Sequence, residues 1–448
     1  MRAGDRASEL LAYEEAARMY DLALQSIEFA NGPNLVARRV DLHIRRARAF
    51  GSLGQWAAEK DDALRALESL DPQDLERHAE MVLMVADASF YLLDSASVER
   101  YASEALDLAR KVSRNDLVAN AMGWLGRSLQ ARGDLAGAIE MDNRAVSLGK
   151  PRRGVALMHG PFTLYLAGHS HEAAEHGRRA AETARTARDT ELTMYALSHY
   201  GLSLGAIGRY RDAARTFEEA REFGRKYGIL PPLARATSMS GGFHSSVFDL
   251  DGAETIHVEA RELARSLSFM PTIVSSGIDL LFVHVRRNDL GRAQVLLPEV
   301  ESAAAATPGW HEWLWQGRLK QVRAELALAC GDATTALDRA QTTIEFCRGK
   351  GRVKYQALGH ITAARALRAL GRTHEAIAHA RDALAIARPI SDPALLLWAL
   401  NVLHALDGDD ALAREARTGS DAIRLELPDE AMQRRFAQSE LVQAIPSG

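Results

Sequence analysis

Apolar residues recur along most of the chain at the spacing of one helix face, and no alternating apolar run is bounded by hairpin signals. The helices follow a repeating phrase: a helical segment, a Gly, Asn or Asp, a short gap, then an Ala-rich second helix. Its clearest copy runs from Tyr195 to Ala220, with Tyr200-Gly201, Leu204, Gly208, Tyr210, Ala213, Phe217 and Ala220. The turn residue recurs at Gly133, Gly168, Gly208, Asp251, Asn288, Gly331, Gly371 and Gly408, about every forty residues. Gly54 precedes this series and leaves room for one degenerate unit around Asp94. Gly and Asn tolerate the left-handed conformation that closes a helix. The second helices carry Ala138, Ala173, Ala213, Ala293, Ala336, Ala376 and Ala413. Prolines fall near first-helix starts (Pro151, Pro231, Pro271, Pro308, Pro393), where a missing N–H matters least, while Pro161 sits where a kink is expected.

The positions from Tyr195 to Ala220 resemble the tetratricopeptide pattern, in which a small residue lets two helices approach and a large one fills the groove. They predict an all-α, tetratricopeptide-like α-solenoid, a right-handed superhelix of about ten to eleven helical pairs. First helices would line its concave face and second helices its convex face. The expected organisation is a repeat array over residues 1–426 and a C-terminal capping helix and tail over 427–448. Residues 6–27 read as the close of one helix and a second helix from Tyr13 to Ile27, so the first repeat is expected to be incomplete. A short helix is expected from Leu427-Pro428-Asp429-Glu430 to about Val442.

Composition narrows the role. Of 448 residues, 47% are hydrophobic and 25% charged, enough to bury a large core. A net charge of −4 gives no electrostatic case for direct nucleic-acid binding or an anionic membrane. The most apolar stretch, Phe269 to Val285, contains Asp279 and reads as a buried helix, because lipid would penalise that carboxylate. Two cysteines, Cys330 and Cys347, exclude a disulfide framework and point to a cytoplasmic setting. The N-terminus carries charges of both signs and no signal-peptide core.

Several stretches carry a second resemblance. Ala12-Tyr13-Glu14-Glu15-Ala16-Ala17 through Leu24, Trp310 to Ala336, Lys354-Tyr355, and Leu427-Pro428-Asp429-Glu430 with Arg435-Phe436 occur in order. Together they resemble the C-terminal helical-repeat region of large bacterial signalling ATPases. Those are AAA- or STAND-type switches, often joined to a LuxR-type DNA-binding or adenylyl cyclase domain. The resemblance implies a sensor or scaffold part in signal transduction or transcription regulation. The nucleotide-binding loop is missing: Gly349-Lys350-Gly351 lacks the upstream Gly and the hydroxyl residue.

Other constellations have plain structural readings. His169, His171 and His176, with Glu172 and Glu175, have ligand-like spacing, but a solvated helix start explains them and no metal is expected. Trp310, Trp313 and Trp315 suit inter-repeat packing or an aromatic platform. Gly241-Gly242 inside a first helix implies close helix approach or a ligand against the backbone. Arg38, Arg39, Arg45, Arg46 and Arg48 make a basic helix, read as a solvated face or an anionic partner site. No catalytic triad can be assembled, and no cofactor is expected.

Counting back three, six and ten residues from each turn selects the positions expected to face inward. The candidate ligand-binding residues are Arg127, Met158, Phe162, Tyr165, Ser198, Leu202, Ser245, Phe248, Phe282 and Arg365. Central repeats would line the inside with apolar groups, and flanking repeats with polar ones. Either the coil buries this strip or a ligand covers it. The expected function is a non-enzymatic scaffold or sensor binding a protein or peptide, with a small effector as a further occupant. Neither nucleic acid nor membrane is expected as a direct partner. An enzyme with its site in the lumen and a self-associating homo-oligomeric scaffold are the alternatives from other classes.

Overall fold

The computed structural model describes all residues except 31–33, 149–153, 188, 308–310 and 446–448. Twenty-four helices and no strand occur among the described residues. The first twenty-two fall into eleven consecutive pairs, a tetratricopeptide-like α-solenoid, followed by short helices Glu430–Ala437 and Glu440–Gln443. The single short helix expected near the C-terminus is therefore two. At the N-terminus an eight-residue helix, Arg2–Glu9, precedes Tyr13–Glu28.

Local chemistry sets each turn inside a pair. At Gly133, Gly208, Gly331 and Gly371 the backbone is left-handed, with φ of 85°, 80°, 82° and 74°. The next amide then reaches back five residues, as in Asp134 N–H to Leu129 O at 3.0 Å and Arg372 N–H to Leu367 O at 2.9 Å. This is the Schellman closure, which satisfies carbonyls the helix leaves open. The residue donating that bond is often an aspartate that caps the second helix: Asp94, Asp134, Asp249, Asp289 and Asp332 each accept from a first-turn amide. One turn differs from expectation. Phe248, not Asp251, is left-handed there (φ 58°), and Asp251 lies inside the following helix Leu250–Ser266. Leu93 does the same before Asp94 (φ 63°).

Packing follows the small-to-large rule. The pair around Gly208 consists of Thr190–Ala206 and Tyr210–Tyr227. A Cβ on Gly201 would stand 3.1 Å from the Phe217 ring, so the missing side chain is what lets that ring in. Ala138, Ala173, Ala213, Ala293, Ala336 and Ala376 are fully buried. A methyl group is all that fits where two helices cross this closely. The helix Val155–Ala167 continues through Pro161. The apolar stretch around Asp279 forms the buried helix Met270–Arg286, and among the described residues no helix is long and apolar enough to cross a membrane. Cys330 is exposed and Cys347 buried, both as free thiols.

The chain divides into two compact units. One comprises residues 1–160, 190–192 and 225–230; the other comprises 161–189, 193–224 and 231–448. In the first unit, buried Asp62 accepts from Arg46 and His43, and Arg45 and Arg48 face Asp5 and Glu80. Three of the five arginines of the basic helix thus face carboxylates of the chain itself.

The second unit closes on itself. Arg352 donates to the Leu166 carbonyl at 3.1 Å, and Arg211 to the Leu425 carbonyl at 2.7 Å. Phe248 meets Trp398 edge to face, with centroids 5.3 Å apart. Arg435 holds Asp249, which is fully buried and also bonded to His244. Burial would raise the Asp249 carboxyl, but its His244 and Arg435 bonds outweigh that and hold it below the usual range.

Candidate functional site

The closed second unit surrounds a cavity of about 200 Å³. Its lining comes from first helices of seven consecutive pairs: Val155–Ala167, Thr190–Ala206, Leu230–Ser246, Met270–Arg286, Glu312–Ala329, Val353–Ala369 and Pro393–Asp407. Of the ten candidates, Phe162, Tyr165, Leu202, Ser245, Phe248 and Phe282 line it. Ser198 is buried and donates to the Met194 carbonyl instead. Arg365 borders a second pocket, where it meets Glu440 at 3.0 Å. Met158 and Arg127 belong to the first unit, Arg127 buried over the Phe90 ring at 4.7 Å.

Chemistry in the lumen comes from charged residues that the inward register did not select. Arg235, Arg286, Arg318, Arg352 and Lys354 line it, against Asp279 and Asp392. Arg286 sits among three aromatic rings, 4.9 Å from the Phe282 centroid, 5.0 Å from Trp398 and 5.6 Å from Phe248. Its Nε donates to buried Glu325 at 3.1 Å. Burial disfavours this guanidinium, but Glu325 outweighs burial and keeps it charged. Arg318 bonds Asp279, and His257 stands 3.8 Å from the same carboxylate. Lys354 donates to Asp392 at 2.6 Å, whose other oxygen caps the helix Pro393–Asp407. Burial works against the Lys354 ammonium too, and Asp392 holds its pKa above the ordinary value.

Cation–π contacts complete the wall. Arg235 lies over Phe162 at 5.2 Å, and Arg352 over Tyr165 at 5.6 Å and Tyr355 at 5.1 Å. With Glu325 added to the two lining carboxylates, five cations still outnumber three anions. The whole chain, by contrast, carries −4. The lumen is cationic and aromatic rather than merely apolar.

The glycine pair divides its tasks. A Cβ on Gly241 would fall 2.7 Å from the His257 ring, so Gly241 serves helix approach. Gly242 has nothing within 4 Å of that position and lines the cavity, leaving backbone open to an occupant. Trp315 also lines the lumen, its Nε1 donating to Ser275 at 3.3 Å, while Trp313 is buried and Trp310 lies outside the described residues. His169 and His171 are exposed, and His176 stands 4.0 Å from Glu172.

A sequence signal existed for the missed charges. Lys354–Asp392, Arg286–Glu325 and Arg318–Asp279 are separated by 38, 39 and 39 residues. That is one repeat length, so each pair joins like positions of successive first helices. The ten-residue count also stopped short of the N-terminal halves of the later first helices, which supply Arg318, Lys354, Tyr355 and Leu395.

No protein-family model matches the chain, and no curated protein matches it by sequence. Among solved structures it is similar to a Rap protein complexed with competence and sporulation factor. The TM-score is 0.61 and the identity 15%, covering 80% of this chain and 98% of that one. Aspartyl phosphate phosphatase F from Bacillus subtilis aligns at a TM-score of 0.49 and 12% identity, over 80% of this chain and 95% of that one. At these identities the likeness is one of fold.

Proposed function

We propose that the second unit is a non-enzymatic recognition module whose lumen binds an extended peptide or protein segment bearing carboxylates. The observation that carries this reading is the lining itself. Guanidinium groups set among aromatic rings make the lumen wall cationic, the chemistry that suits carboxylates, while Phe162, Phe248 and Phe282 supply apolar walls. Gly242, with no side chain, leaves space against the wall that an extended segment can fill. The lumen carboxylates are engaged by Arg318 and Lys354, which favours binding over general-base chemistry.

A ligand here would touch both sides of the closure, Phe162 and Tyr165 on one and Arg352, Lys354 and Trp398 on the other. It would therefore shift the equilibrium between closed and open forms by its differential affinity for them. The solved Rap protein of similar fold, complexed with competence and sporulation factor, supports ligand binding by such an array. The resemblance to repeat regions of bacterial ATPase regulators suggests where that response would be read: in signal transduction or transcription control.

The test is selection from a randomised linear peptide library on the full chain. Recovered peptides should be enriched in Asp and Glu between aliphatic residues. Their affinity should fall steeply with salt and by at least about tenfold in Arg235→Glu. Enrichment of basic peptides, or acidic binders indifferent to Arg235→Glu, would refute the reading.

A further inference from the structure

Away from the lumen lining, one helical pair brings three metal-ligating side chains together. His360 lies on Val353–Ala369; His379 and Asp382 lie three residues apart on Thr373–Ile390, the second helix of the same pair. His360 Nδ1 is 3.0 Å from His379 Nδ1 and 3.7 Å from an Asp382 carboxylate oxygen. One ligand atom from each residue fits within a span of 4.8 Å. We propose that His360, His379 and Asp382 form a binding site for a first-row divalent cation of the zinc class, with at least one position left open to water.

The geometry supports this in three ways. An ion about 2.05 Å from each nitrogen would see the two histidines about 94° apart, and His360 and Asp382 about 127° apart. Those two angles bracket the tetrahedral value, and the third pair, His379 and Asp382, lies within 4.8 Å on one helix. Next, two imidazoles presenting the same ring nitrogen to each other at 3.0 Å need either a shared proton or a shared cation between them. Finally, Asp382 is exposed, with 63% of its side chain open to solvent, while His360 is buried, which gives an entry path ending at a dry ligand.

Of the charged neighbours, Asp382 and Glu375 favour a cation and Arg348 opposes it. A bound ion would tie the two helices of this pair together, and the first of them carries Lys354, Tyr355 and Leu358 into the lumen. Spacing along the chain singles out only His169, His171 and His176, where no metal is expected; His360, His379 and Asp382 come from two helices, so spacing gives no signal for them.

The experiment is cobalt titration of the chelator-stripped full chain, followed by visible d–d absorption and by competition with zinc. One equivalent should bind with the bands of a low-coordinate site. His379→Ala should weaken binding at least about a hundredfold and Asp382→Asn about tenfold, whereas His171→Ala should leave it unchanged. Neither His379 nor Asp382 is fully buried, and both variants should keep the wild-type circular dichroism. Absence of bands in the wild type, with no zinc-dependent rise in melting temperature, would mean that the two rings merely share a proton, and would overturn the proposal. Bands that persist in the His379→Ala/Asp382→Asn double variant would overturn it equally, by placing the ion elsewhere.

Discussion

Replacing Gly208 with Ala isolates the closure of the second unit, because a matched control exists in the same chain. Gly208 and Gly371 both end first helices in the left-handed conformation, at φ 80° and 74°. The following amides, of Arg209 and Arg372, reach back to Leu204 and Leu367 at 3.0 and 2.9 Å. Ala in that conformation costs about 1 kcal/mol at either site. The surroundings differ. A Cβ on Gly371 meets nothing within 4 Å, whereas one on Gly208 would stand 2.8 Å from the Pro393 ring. That ring lies far along the chain, in the first turn of Pro393–Asp407, and cannot rotate aside. Overpacking of this kind adds about 1–3 kcal/mol. Gly371→Ala should therefore lose about 1 kcal/mol and Gly208→Ala about 2–4 kcal/mol in urea titrations followed by circular dichroism. Tryptophan fluorescence should change more in Gly208→Ala, since Trp398 lies on the helix that Pro393 begins. Gly168→Ala, whose Cβ would meet Val353 at 2.5 Å, should fall between them, because a valine side chain can turn away. Equal losses at Gly208 and Gly371 would falsify the closure, and with it the enclosed lumen.

Other expectations follow from the lumen and the core. Glu325→Gln leaves the Arg286 guanidinium buried among rings without its anion and should cost about 3 kcal/mol in urea titration; a neutral result would mean that Arg286 reaches water. Phe282→Ala removes a side chain only 4% exposed and should cost about 3 kcal/mol, against less than about 1 kcal/mol for an open groove residue. Stability should also fall as pH drops below about 6.5. Burial lowers the pKa of His257 and His284 from 6.5, so the unfolded chain binds protons first and each group can contribute a slope of up to about 1.4 kcal/mol per pH unit. His257→Gln should flatten that slope, and urea midpoints unchanged between pH 7.5 and 5.5 would contradict it.

The repeat itself was written in the chain. Gly133, Gly208, Gly331 and Gly371 announce left-handed turns because other residues pay a steric penalty there, and Ala138, Ala213 and Ala336 mark crossings that admit only a methyl group. These are local demands, met within one pair of helices, so a sequence pattern can report them. Where Phe248 took the left-handed position and Asp249 the cap, the pattern misplaced the turn by three residues, since packing overrode residue preference. Of the ten inward candidates, Phe162, Tyr165, Leu202, Ser245 and Phe282 reached the lumen because helical periodicity determines which stripe of a first helix faces inward, and Phe248 reached it from the turn. Closure was not legible. It depends on small rotations accumulated over successive pairs, and only their sum brings Arg352 to Leu166, or Pro393 to Gly208. The cationic character of the lumen and the meeting of His360 with His379 and Asp382 likewise arise between helices, where distance along the chain says little about distance in space.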